Sequence, residues 1–140
     1  MVMLGGNSTK SIDIMQRAMG ASVFRSEVLN NNIANASTPN YKRRDVTFQT
    51  ELIRALNSEI TPRIPFRMSK ENHIPNFRIK DYRSVKPKVF TEYNTYYNNN
   101  GNSVDIEKEM LESSKNTLYY NALAQRTAKE FNKIKFLLRS

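Results

Sequence analysis

The residues able to do chemistry are few and scattered. His73 is the single histidine, set between Asn72 and Ile74, and the chain has no cysteine. Metal binding needs convergent ligands, and general acid–base work needs a positioned partner. A lone imidazole with neither reads as a loop or packing residue. Asp105, Glu107, Glu109 and Glu112 form a cluster of carboxylates. They fall in the first turns of a helical pattern, where acids meet the positive end of the macrodipole, and that accounts for them. No glycine-rich phosphate loop and no Ser/His/Asp arrangement stands out. Tyr93, Tyr96 and Tyr97 lie near basic residues and could stack bases, but they match no RNA-recognition signature. Lys42-Arg43-Arg44 is too short a run to single out nucleic acid. No enzymatic activity, cofactor or metal is expected.

The net charge of +9 over 140 residues is uneven. Residues 42–88 hold 12 basic and 5 acidic side chains, a balance of +7, and each flank contributes only +1. Two readings stand for this basic middle: an acidic partner such as nucleic acid or lipid headgroups, or a solvated insert kept soluble by its charge. Without cysteine there are no disulfides. The start, MVMLGGNSTKSIDIM, lacks the basic and then apolar pattern of a cleavable secretory signal, and no apolar run approaches the length of a membrane span.

Two long amphipathic patterns must position whatever function there is. Ile106, Met110, Ser113, Thr117, Tyr120, Ala124, Thr127, Phe131, Ile134 and Leu138 alternate steps of four and three, the seam of a long helix over Asp105–Leu138. Ser103 or Asp105 can cap it. Leu111, Leu118 and Phe136 form a second stripe away from the seam, and Tyr119, Leu123 and Leu137 a third flank. A helix apolar on several sides is buried against several neighbours, more than so short a chain supplies, which points to other copies of the protein or to relatives of it. At the other end Ile12, Met15, Met19, Ser22, Ser26, Leu29, Ile33 and Ala36 predict a helix over Lys10–Ala36. Small residues at Gly20, Ala21, Ser22 and Ser26 would let a second helix come close.

The expected fold is mainly α. Long N- and C-terminal helices pair as a coiled-coil-like hairpin around a mixed, poorly packed insert containing some β-strand. Its parts are 1–40 for the N-terminal helix, 41–102 for the insert and 103–140 for the C-terminal helix. Within the insert a short helix is expected near Thr47–Asn57, one or two strands in Val85–Tyr97, and a turn at Asn98–Asn102.

Asn31–Phe48, NNIANASTPNYKRRDVTF, is the best-marked stretch. Asparagine suits helix interiors poorly because its amide competes for backbone groups. Asn31, Asn32 and Asn35 therefore either satisfy the carbonyls of a fraying helix end or, from the helix surface, bond neighbouring backbones in a packed assembly. Thr38-Pro39-Asn40-Tyr41 then turns the chain, with Asn40 suited to a positive φ.

This stretch resembles the N-terminal signature of the bacterial flagellar rod, hook and hook-associated axial proteins, written around ANNIANxxTPGYKR, with Asn40 in place of the family's glycine. GNSVDIEKEMLESSKNTLYYNAL, Gly101–Leu123, is similar to the C-terminal segment of a proximal rod protein of the basal body, and KENHI at Lys70–Ile74 resembles a short element of the same protein. The resemblance implies a structural subunit of the proximal rod, polymerising through its terminal helices as part of the drive shaft. It implies export by the flagellar type III apparatus without a cleaved signal, and a place in the periplasmic rod. Implied partners are further copies, the rod proteins FlgC, FlgF and FlgG, the rod adaptor FliE and the MS-ring protein FliF. Asn31, Asn32, Asn35, Thr38, Pro39, Asn40 and Tyr41 would then form inter-subunit packing and a helix exit, and Leu111, Leu118 and Phe136 a subunit contact. The alternative from a different class is a basic helical nucleic-acid-binding module built on Lys42–Lys88.

Overall fold

A computed structural model describes residues 3–60, 79–93 and 103–139, with side chains from residue 8 onward. The order of elements is α1 (Met3–Ala34), β1 (Arg44–Thr47), α2 (Gln49–Ile60), a single 3₁₀ turn (Tyr82–Ser84), β2 (Lys88–Thr91) and α3 (Ile106–Arg139). The expected element at Lys70–Ile74, His73, Tyr96, Tyr97 and the Asn98–Asn102 turn lie outside the described residues.

α1 and α3 run antiparallel. Asn32 meets Glu109 at one end, Asn116 donates to the Ser22 carbonyl in the middle, and Thr127 reaches the Met15 sulfur further along. α1 starts earlier and stops sooner than the sequence pattern predicts. α3 opens on Asp105, whose carboxylate accepts from the N–H groups of Glu107 and Lys108, two of the unpaired donors of a helix start.

The face that α3 turns inward keeps part of the expected seam, with Ser113, Ala124, Thr127 and Ile134 half-buried, and departs from it elsewhere. Its buried residues are Glu109 and Asn116, with Leu123, Thr127 and Ile134 half-buried along the same row. Ile106, Met110, Thr117, Tyr120, Phe131 and Leu138 are exposed. The helix is rotated so that two polar side chains lead into the contact. On α1 the small residues do the expected work at Ala21 and Ser22, both buried. Gly20 does not take part, since it is exposed and a Cβ there would meet nothing within 4 Å.

The described part of the insert is better packed than expected. Phe48, Leu52, Ala55, Tyr82 and Val85 bury against Ala18 and Ala21, with Ile14, Leu56 and Leu123 at the margin. α2 contributes through Leu52, Ala55 and Leu56, the i, i+3, i+4 spacing that lines one helical face. Asp81 caps the 3₁₀ turn by accepting from the Arg83 N–H, which sets Tyr82 and Val85 inward. Of the Val85–Tyr97 strand expectation, four described residues form β2. Its antiparallel partner is β1, in the register Arg44↔Thr91 to Thr47↔Lys88, and no strand is expected at β1 from sequence.

Candidate assembly site

α1 ends in the asparagine-rich stretch. Asn31 Nδ2 donates to the Glu27 carbonyl at 3.0 Å and Asn35 Nδ2 to the Asn31 carbonyl at 2.8 Å, so both amides serve carbonyls one turn back on their own helix. Beyond them the Tyr41 N–H closes on the Thr38 carbonyl at 3.2 Å. Pro39 holds the second position of this turn, and Asn40 holds the third with φ 61°. That is the residue pattern of a type II turn, in which glycine or asparagine takes the left-handed place. Thr38, Pro39 and Asn40 are exposed at the tip of this turn, and Tyr41 is half-buried.

Asn32 behaves differently from its neighbours. It is fully buried rather than on the helix surface. Its Nδ2 donates to the Arg44 carbonyl at 2.6 Å and to Glu109 Oε2 at 2.8 Å. Its Oδ1 accepts from the Arg44 N–H at 3.1 Å and from the Tyr41 hydroxyl at 3.4 Å. Two donors and two acceptor sites are thereby all used inside the chain, which is the full capacity of an amide.

The turn delivers Arg43 into the same place. Its guanidinium donates to Glu109 Oε1 at 2.6 Å, Glu92 Oε1 at 2.9 Å and Asp45 Oδ2 at 3.3 Å, and its backbone N–H to Ser103 Oγ at 2.8 Å. Asp45 in turn takes a two-pronged contact from Arg25, at 2.9 and 3.1 Å, and Arg25 also reaches Glu112 at 3.2 Å. Glu109 and Arg43 are buried, the other acids partly so. Burial by itself would push the Asp45 carboxyl up; the Arg25 guanidinium, the Val46 N–H and Arg43 together outweigh it and hold the group below its ordinary range. Burial would likewise lower the Arg43 pKa, and the hydrogen bond and charge of Glu109 more than reverse this. Glu112 is held low, chiefly by Lys115.

Sequence reasoning misses this ionic junction. Helix-start electrostatics is a sufficient account of Glu109, and Arg43 passes for one member of a solvated basic run. The only signal is the departure of two charged residues from their expected surface places, and that becomes visible only once they meet. The arrangement also removes support for nucleic-acid binding, because the central residue of Lys42-Arg43-Arg44 faces carboxylates. Among the described residues no group of His, Asp or Glu is placed to hold a metal ion, and no helix is long and apolar enough to cross a membrane.

Leu111, Leu118 and Phe136 remain outside all of this. They are 55%, 72% and 74% exposed on the back of α3. At 3.6 residues per turn Leu118 lies about 160° around the helix from the buried Asn116.

An antiparallel helical pair, locked at one end by buried ions and apolar on its outer side, has the build of a structural protein. Comparison with known proteins gives that class its identity. Over 130 residues, 93% of this chain and 96% of the relative, the sequence is 32% identical to the flagellar basal body rod protein FlgB of Borreliella burgdorferi. It is 32% identical over 128 residues to FlgB of Bacillus subtilis, covering 91% of this chain and 92% of the relative. FlgB of Escherichia coli is 29% identical over 123 residues, 79% of each chain. The chain belongs to the FlgB family of flagellar basal body rod proteins. No family model matches it.

Proposed function

We propose that the chain is a structural subunit of the proximal part of the flagellar rod and polymerises through α1 and α3. The observation that carries this reading is similarity to FlgB proteins over nearly the whole chain. The role requires packing surfaces rather than a catalytic centre. Further copies, FlgC, FlgF, FlgG, the adaptor FliE and the ring protein FliF are its partners in this reading, and the subunit reaches the periplasmic rod through the type III apparatus. The contact surfaces are the tip, Asn31, Asn35, Thr38, Pro39 and Asn40, and the stripe Leu111, Leu118 and Phe136. Asn32 acts from inside, by fixing the tip to α3.

Leu118→Asp tests the reading. A charge buried without a partner at a subunit contact costs several kcal/mol. The isolated variant is expected to keep its helical circular dichroism while cells carrying it lose motility and rods. A motile variant, or one whose isolated form loses its helix signal, overturns the role of the stripe. Nucleic-acid binding is checked by a DNA titration against salt: tight binding at physiological salt with a steep salt slope would favour that alternative.

A further inference from the structure

The two-stranded sheet has two outer edges, and the chain treats them differently. The Glu92 N–H donates to the Arg43 carbonyl, so in the register Arg44↔Thr91 to Thr47↔Lys88 the hydrogen-bonded pairs are Asp45↔Phe90 and Thr47↔Lys88. The backbone groups of Arg44 and Val46 therefore point out of one edge, and those of Val89 and Thr91 out of the other. The first edge is largely sealed. The Asn32 amide serves both the N–H and the carbonyl of Arg44, and the Asp45 carboxylate accepts from the Val46 N–H. The second edge is open: among the described residues, none bonds the outward N–H or carbonyl of Val89 or Thr91. Val89 and Phe90 beside it are each 43% exposed. Such an edge is a template for another strand.

We infer that two free copies of the chain pair through β2, antiparallel and two-fold, with Phe90 opposite the second copy's Phe90. In this register Val89 faces the second copy's Thr91, and the open groups of both edges close on each other. Lys88 then faces Glu92. Lys88 makes no ion pair among the described residues, and Glu92 uses only Oε1, toward Arg43, with its side chain part-exposed. Within one strand these two charges are about 13 Å apart at 3.3 Å per residue, too far to meet. In the two-fold pair they lie directly opposite, twice over. Facing opposite charges and a facing aromatic pair are contacts that stabilise antiparallel strands. The register is also bounded, because sliding it two residues toward the strand start sets Pro87, which has no N–H, against Thr91. β2 thus carries the complement of its own edge. A two-fold contact closes on itself and stops at two copies, so it belongs to the free chain and does not rest on the rod reading. It shields an edge that would otherwise recruit strands at random.

The chain lacks cysteine, so an engineered thiol reports without background. Facing residues of a non-hydrogen-bonded antiparallel pair have Cα atoms about 4.5 Å apart, within disulfide reach. Purified Phe90→Cys is therefore expected to oxidise to a covalent dimer. Lys88→Cys, at an exposed position, should stay monomeric, because the two copies of residue 88 lie about 13 Å apart in this register. Sedimentation of the unsubstituted chain against concentration should show a monomer–dimer equilibrium. Thr91→Pro removes an outward N–H and spares the β1–β2 ladder, so it should abolish the dimer with circular dichroism unchanged. Lys88→Glu sets like charges opposite each other twice and should raise the dissociation constant about tenfold. If Phe90→Cys fails to fold, the sedimentation series decides alone. Equal crosslinking of both cysteine variants overturns the inference, as does a dimer unaffected by Thr91→Pro. So does an unsubstituted chain that stays monomeric at every concentration, which would leave the edge to a strand of a different protein.

Discussion

Arg43 and Glu109 are 66 residues apart in the chain, and their side chains meet at 2.6 Å. Arg43 follows the TPNY turn after α1, and Glu109 lies in the first turn of α3. The two segments that carry the family resemblance are therefore two sides of one buried contact, with Asn32 bridging them. Their sequence character reflects how the hairpin is closed as well as how subunits pack.

Removing Glu109 leaves a buried guanidinium short of its principal partner. Breaking a buried pair from one side costs about 3–5 kcal/mol, whereas replacing both members with apolar residues is often close to neutral. Glu109→Leu is expected to lower stability by that order in urea unfolding followed by circular dichroism. Arg43→Met added to it should recover part of the loss, though Glu92 and Asp45 then lack their cation. A Glu109→Leu variant as stable as the parent would mean that the junction does not hold the hairpin.

At Asn32, substitution by Asp and by Ala should act differently. Asn32→Ala leaves the Arg44 N–H and carbonyl unpaired, at about 1–3 kcal/mol for each buried group left so. Asn32→Asp removes both donors and sets a second carboxylate where Nδ2 now lies 2.8 Å from Glu109. Asn32→Asp is therefore expected to melt below Asn32→Ala near neutral pH despite being the closer isostere. The reverse order would mean that the Asn32 amide does not turn its Nδ2 toward Glu109.

The pH dependence follows from Asp45 and Glu112, whose pKa values are both lowered on folding. A lowered carboxyl pKa adds stability that is complete above the unfolded value, about 4, and is lost as pH falls through the folded value. Stability should therefore owe nothing to these two groups' titration between about pH 6 and 8, and should fall below about pH 4. Asp45→Asn should be less stable at neutral pH, with a shallower decline on the acid side. An equally steep acid decline in Asp45→Asn would place the responsible groups elsewhere.

At the tip, Asn40 has φ 61°. Left-handed backbone costs most L-residues about 1–2 kcal/mol, and glycine escapes this cost. Asn40→Gly should leave the thermal midpoint nearly unchanged or slightly raised, and Asn40→Val should lower it. Equal midpoints for the two would mean that the turn relaxes away from this geometry.

Local physics made much of the chain legible. The three-four spacing from Ile12 and from Ile106 marks both long helices, Asp105 marks a helix start, and the Pro39-Asn40 step marks a turn with positive φ, because each depends on residues a few positions apart. The tertiary structure decided what those rules cannot reach. β1 is four residues long and acquires its identity from β2, more than forty residues later. The inward face of α3 carries Glu109 and Asn116, and hydrophobic periodicity gives no weight to polar residues whose partners lie on another element. Asn32 looks like Asn31 and Asn35 in sequence; only the arrival of Arg44 and Glu109 beside it separates the buried amide from the two that serve their own helix. Burying an ion or an amide is favourable only when its partners arrive from distant parts of the chain, so that choice belongs to the assembled fold.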